Sequence, residues 1–105
     1  MTKKPRPKTL QGITYTVPTG CGKLYVACND KDGSLFEVFI HMGKSGGCSS
    51  ASMEALGRVI STGLRGGIDP GHYIKTLAGI QCHRSPSCVD AVAQAIKMHE
   101  EGRVK

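Results

Sequence analysis

The sequence predicts an α+β fold: a three-stranded antiparallel meander followed by three helices packed on one face. Two changes along the chain carry that reading. Between Gly12 and Met42 apolar residues recur at every second position, the period of a half-buried strand; from Cys48 onward they recur every third or fourth, the period of a helix. Strands first and helices after is the order of an α+β domain.

The first strand is "GITYTVPTG", in which Ile13, Tyr15 and Val17 alternate with Thr14 and Thr16, and Pro18 and Gly20 end it. "KLYVACN" follows, with Leu24, Val26 and Cys28 on one face. "NDKDG" supplies hairpin turn residues, and "SLFEVFIHM" places Phe36, Val38, Ile40 and Met42 on one face of a third strand. Met53, Leu56, Ile60 and Leu64, with Val59 beside them, then form one stripe of a helix reaching about Arg65, where Gly66 and Gly67 stop it. A short second helix begins with Asp69 as N-cap and Pro70 at its first position. For the last helix Ser87 is the cap, Asp90 follows three residues later as in a capping box, and Val92, Ala95 and Ile96 face inward.

Residues 1–8 read as a basic disordered leader and residues 9–105 as a single domain, with no internal repeat. Lys3, Lys4, Arg6 and Lys8 put four of the chain's 14 basic residues in that proline-punctuated leader, so the body is only mildly basic although the net charge is +6. A solvated arm and an arm that touches nucleic acid or an acidic partner both fit it. No run approaches the roughly 18 apolar residues of a membrane span, and no apolar segment follows the basic N-terminus, so the chain reads as cytoplasmic with no membrane partner.

"GKSGG", residues 43–47, resembles a phosphate loop but fails the test. A Walker loop needs a glycine five positions before the Gly-Lys-Ser, and Val38, inside a strand, stands there. What survives is a run of small residues and a lysine at the mouth of a helix, a place that favours anions. Gly43, Lys44, Ser45, Gly46 and Gly47, with Lys23 and Arg84, are therefore candidate anion or nucleotide contacts. A structural loop whose glycines permit close backbone approach is the other reading. With Tyr15 and Phe36 on inward strand faces, a base-stacking platform looks thinly supplied.

Five cysteines without a secretory signal argue against a disulfide framework, and no Cys-x-x-Cys occurs. Four of them sit at element ends among small or polar residues: Cys21 in a glycine-rich turn, Cys48 at the start of the first long helix, and Cys82 and Cys88 either side of a five-residue loop. Such ends can turn sulfurs toward one ion, and a helix N-terminus favours the thiolate that zinc requires. Four separate reduced thiols is the competing reading, and His83 is a candidate ligand in place of Cys21. Cys28 shares a strand face with Leu24 and Val26 and reads as a small buried hydrophobe. His41, His72 and His99 read as surface residues.

"RPKTLQGITYTVPTGCGKLYV", "FEVFIHMGKSGGC", "ALGRVIS", "GIDP" and "CHRSPSCVDAVAQAI" together resemble the TSCPD domain, the C-terminal accessory domain of adenosylcobalamin-dependent ribonucleotide reductases, which also occurs as small free-standing four-cysteine proteins. The resemblance spans roughly residues 6–97. It implies a structural zinc site at Cys21, Cys48, Cys82 and Cys88, with Cys28 outside the pattern. The family's Thr-Ser-Cys-Pro-Asp signature departs here to Pro86-Ser87-Cys88-Val89-Asp90.

Within these 105 residues no segment resembles the reductases' catalytic barrel or their cysteine-pair tail, so a fragment of a reductase, a subunit of a split one and a free-standing relative all fit. The expected role is thus a zinc-stapled accessory module, non-catalytic by itself, partnered by a reductase catalytic chain. The alternatives are a nucleotide- or nucleic-acid-binding protein using the Gly43–Gly47 loop, and a thiol-disulfide carrier through Cys82 and Cys88. Exposed sheet edges leave homo-oligomer formation open.

Overall fold

The computed structural model describes residues 3–20, 22–43, 47–81 and 87–103, with backbone alone at 47–49. Strands β1 (Gln11–Thr19), β2 (Gly22–Lys31) and β3 (Ser34–Met42) form one antiparallel sheet in the order β1-β2-β3. Helices α1 (Gly47–Arg65), α2 (Pro70–Leu77) and α3 (Cys88–Arg103) follow, so the meander and the helical half are as the periodicity predicts.

The Asp-Gly turn sets the register of the second hairpin. Asp32 (φ 54°) and Gly33 (φ 81°) both take positive φ, the two-residue turn whose twist matches that of antiparallel strands. Cross-strand rows Val17–Leu24–Met42 and Tyr15–Val26–Ile40 then line one face. That face is closed mainly by α3, which brings Ala91, Val92, Ala95 and Ile96 into the same buried cluster as Leu24, Val26, Cys28 and Val38, and Met53, Ile60 and Leu64 of α1 and Leu77 of α2 complete the cluster. Each buried Val, Leu or Ile contributes about 1.5–3 kcal/mol.

Three apolar residues depart from the expected stripes. Ile13 is 56% exposed because it lies near the far end of edge strand β1, beside a surface hollow also lined by Pro7, Gly33 and His99. Val59 is 65% exposed, since Met53, Ile60 and Leu64 take the buried line of α1. Phe36 is buried but sits at a register shift: Asn29 pairs with Glu37 while Asp30 pairs with Leu35. The extra residue at this bulge hands the core position to Leu35 and leaves the Phe36 ring between Lys31 and Arg65, each cation 5.4 Å from its centroid.

The free edge of β3 is covered by α1. Val38 N–H donates to Ser61 Oγ (3.0 Å), and Ser61 Oγ–H donates to Val38 O (2.9 Å). A Cβ at Gly57 would lie 3.3 Å from Ile40 N and 3.4 Å from Val38 O, so the missing side chain lets the helix approach that backbone. The leader also makes contacts: Lys4 N–H donates to Arg65 O (3.0 Å), and Arg6 forms two bonds to Glu37 (2.9 and 3.0 Å). Glu37 is only 2% exposed, on the sheet face away from α3. Burial pulls its carboxyl upward, but the bonds from Arg6 and Asn29 outweigh that and hold it below the ordinary value.

The helix ends follow the predicted caps. The Asp69 carboxylate accepts from Gly71 N–H, and Ser87 Oγ accepts from Asp90 N–H (3.0 Å). The reciprocal half of the capping box is not made: Asp90's carboxylate accepts from Gly79 N–H (2.7 Å) instead of from Ser87 N–H, which ties the end of α2 to the start of α3.

Ser61→Ala leaves a buried N–H and C=O without their partner and is expected to lower stability by about 1–3 kcal/mol in urea unfolding. Thr62→Ala, on the solvent side of α1, should stay within about 0.5 kcal/mol. Equal midpoints for the two would contradict the edge-covering role of α1.

Candidate metal centre

Among the described residues, the first hairpin, the exit from β3 and the start of α3 meet at one end of the sheet. Thr19 pairs with Gly22 across the first hairpin, and Thr19 Oγ–H donates to Gly22 O (2.7 Å). Beside it, Gly43 N–H donates to Lys23 O (2.8 Å), so the chain leaves β3 for α1 next to the first residues of β2. A Cβ at Gly43 would stand 3.0 Å from the Tyr25 ring and 3.1 Å from Lys23 O, which is a structural reason for a glycine at the start of the "GKSGG" stretch. From the helical side, Cys88 is the first residue of α3, is 9% exposed, and brings its Sγ to 3.9 Å from Thr19 Oγ1.

Cys48 is the second residue of α1; its side chain lies outside the described residues, as do Cys21, Cys82, His83, Arg84, Lys44, Ser45 and Gly46. Gly47 opens α1, and Lys23 is exposed on β2. Among the described residues no group of three or more His, Cys, Asp or Glu could hold a metal ion. Ser87 Oγ–H donates to Ile80 O (2.5 Å), which ties the chain just after α2 to the cap of α3. Cys28 is different in kind: it has no exposure, and burial pushes its thiol up to about 12, so it stays protonated and inert.

At the other end of the sheet sits a polar cluster in place of the surface histidine expected at position 99. His99 is 5% exposed, with Nδ1 2.9 Å from the Tyr15 hydroxyl and Nε2 2.9 Å from Asp30 Oδ1. An ionised carboxylate only accepts, so Nε2 carries the proton and, in the neutral ring, Nδ1 accepts from Tyr15 O–H. Arg103 also donates to Asp30 and is held in turn by Glu100. Burial pulls Asp30 upward, yet the bonds from Arg103 and His99 prevail and keep its carboxyl below the ordinary range. Among the described residues no buried side-chain nitrogen or oxygen lacks a partner, so the cluster reads as a clamp of α3 onto β1 and β2. The sequence does contain its signal: Val92, Ala95, Ile96 and His99 continue one i, i+3, i+4, i+7 stripe.

The described residues form a small α+β domain, a three-stranded antiparallel meander followed by three helices, with Cys88 at the start of α3. A family model described as the TSCPD domain matches residues 1–100, and the chain belongs to that family. Searches of curated proteins and of solved structures gave no match.

Asp30's depressed carboxyl has a defined pH consequence. The stability it contributes is present above the unfolded value near 3.8 and is lost as pH falls through the lower folded value. Asp30→Asn is expected to cost about 1–3 kcal/mol at pH 7 and to flatten the loss of stability below about pH 4. Denaturant unfolding at pH 7 and pH 3 checks this; equal acid losses in the two proteins would contradict it.

Proposed function

We propose that the chain is a zinc-stapled accessory module, non-catalytic by itself, that serves a ribonucleotide reductase catalytic chain. In this reading Cys21, Cys48, Cys82 and Cys88 hold one structural zinc ion as thiolates. The observation that carries it is the Cys88 sulfur at the start of α3, turned toward Thr19 of the first hairpin. The donor chemistry fits: four thiolates are a closed structural zinc set, which supplies a cross-link and leaves no open position for a reacting water. The charge fits as well, because the N-terminal end of a helix as long as α3 favours anionic groups.

The chain's own residues do the remaining work. Gly43 lets β3 close against Lys23 and Tyr25, Thr19 fixes the first hairpin, and Ser87 ties the segment after α2 to the cap of α3. A zinc ion tying the first hairpin to the starts of α1 and α3 would contribute folding free energy directly, which matters in a chain of only 105 residues. The link to a reductase rests on the family, whose domain accompanies such enzymes. No helix among the described residues is long and apolar enough to cross a membrane.

Cys48→Ser and Cys88→Ser should each lose the metal and unfold at a markedly lower temperature, whereas Cys28→Ala should keep a full complement of zinc. Metal analysis beside thermal melting reads both. Full metal content with unchanged melting in the Ser variants would overturn the site. A two-proton mass deficit restored by reductant would instead favour a Cys82–Cys88 disulfide couple.

A further inference from the structure

We infer that the sheet face opposite α3, together with the groove between β3 and α1, is a binding platform for single-stranded nucleic acid. This inference is independent of the cysteines and does not use the Gly43–Gly47 loop. The rows Thr14–Ala27–Phe39 and Thr16–Tyr25–His41 form the open part of that face. Phe39 is 53% exposed, and the Tyr25 and His41 rings lie 6.4 Å apart at a tilt of 38°. The aromatic supply that Tyr15 and Phe36 cannot give is therefore present in other residues, turned outward.

The charge lies where a phosphate backbone would run. A groove of about 620 Å³ separates Phe39 and His41 from α1, and Lys3, Arg6, Arg58 and Arg65 stand on it against only Glu37 and Glu54. Arg6 is paired with Glu37 and Arg58 with Glu54, so the excess positive charge on the groove is carried by Lys3 and Arg65. Lys23 is exposed at the opposite end of the face, two residues from Tyr25 along β2. Exposed π-faces flanked by cations suit unpaired bases with their phosphates, because stacking tolerates any base while the charge follows the backbone. A second copy of the chain suits the face less well: its open rows carry threonines and a histidine around a single large apolar side chain, and a self-contact would bring cationic rims together. A duplex hides the base faces that Phe39 and Tyr25 would stack on.

The test is fluorescence anisotropy of the full chain with a labelled oligodeoxythymidine strand, the matching duplex, and polyglutamate as a plain polyanion. The strand is expected to bind more tightly than the duplex or polyglutamate, and more weakly as salt rises. Phe39→Ala should weaken strand binding roughly ten-fold or more while melting and polyglutamate binding stay unchanged. Lys3→Gln should reduce the salt slope by about 0.7. No strand binding at low salt, equal binding of all three probes, or unaltered affinity in Phe39→Ala would each overturn the platform.

Discussion

Closure of one face of a three-stranded sheet by α3 is the constraint on which the rest of the molecule depends. Leu24, Val26 and Cys28 of the central strand have no contact with water, and Val92, Ala95 and Ile96 of α3 are equally sealed. So small a sheet holds its register only if one face is buried, because a slip of one residue would turn every apolar side chain outward. The same packing sets the two ends of α3. Its first residue, Cys88, meets the β1–β2 hairpin, and its last turns reach Asp30 and Tyr15 at the far end of the strands.

Polar groups close the margins that apolar packing leaves open. The β3 edge would be a template for pairing with another chain, but Ser61 occupies the Val38 N–H and C=O, and Gly57 brings α1 against the same backbone. On the face away from α3, Glu37 is buried only because Arg6 and Asn29 satisfy its carboxylate. A buried carboxylate without such partners would lose its charge or open the local structure. Sequence neighbours could not supply that partner, and the leader brings it from 31 residues away.

How much of this the sequence makes legible depends on whether the cause is local. The strand and helix periods, the Asp-Gly turn, the Asp69 and Ser87 caps and the glycines after Arg65 are all short-range signals, and each appears in the structure. The bulge at Phe36 is not legible because one extra residue leaves the strand pattern intact while moving the core position to Leu35. Position 99 was readable as a continuation of the α3 stripe, and what obscured it is that a histidine needs distant partners to be buried. Arg6–Glu37 and Ser61–Val38 join residues far apart in sequence and different in kind, so no periodicity announces them. Sequence likewise singles out four cysteines at element ends, and their assignment to one site comes from the family pattern; of these side chains only Cys88 falls among the described residues.

Native mass spectrometry of the chain purified without added metal, repeated after treatment with a strong chelator and again after denaturation, tests the central claim most directly. The account predicts one zinc per chain that survives the chelator while the protein is folded and leaves on unfolding, as expected where metal binding and folding are one equilibrium. A folded, metal-free chain with all its cysteines as thiols would contradict it.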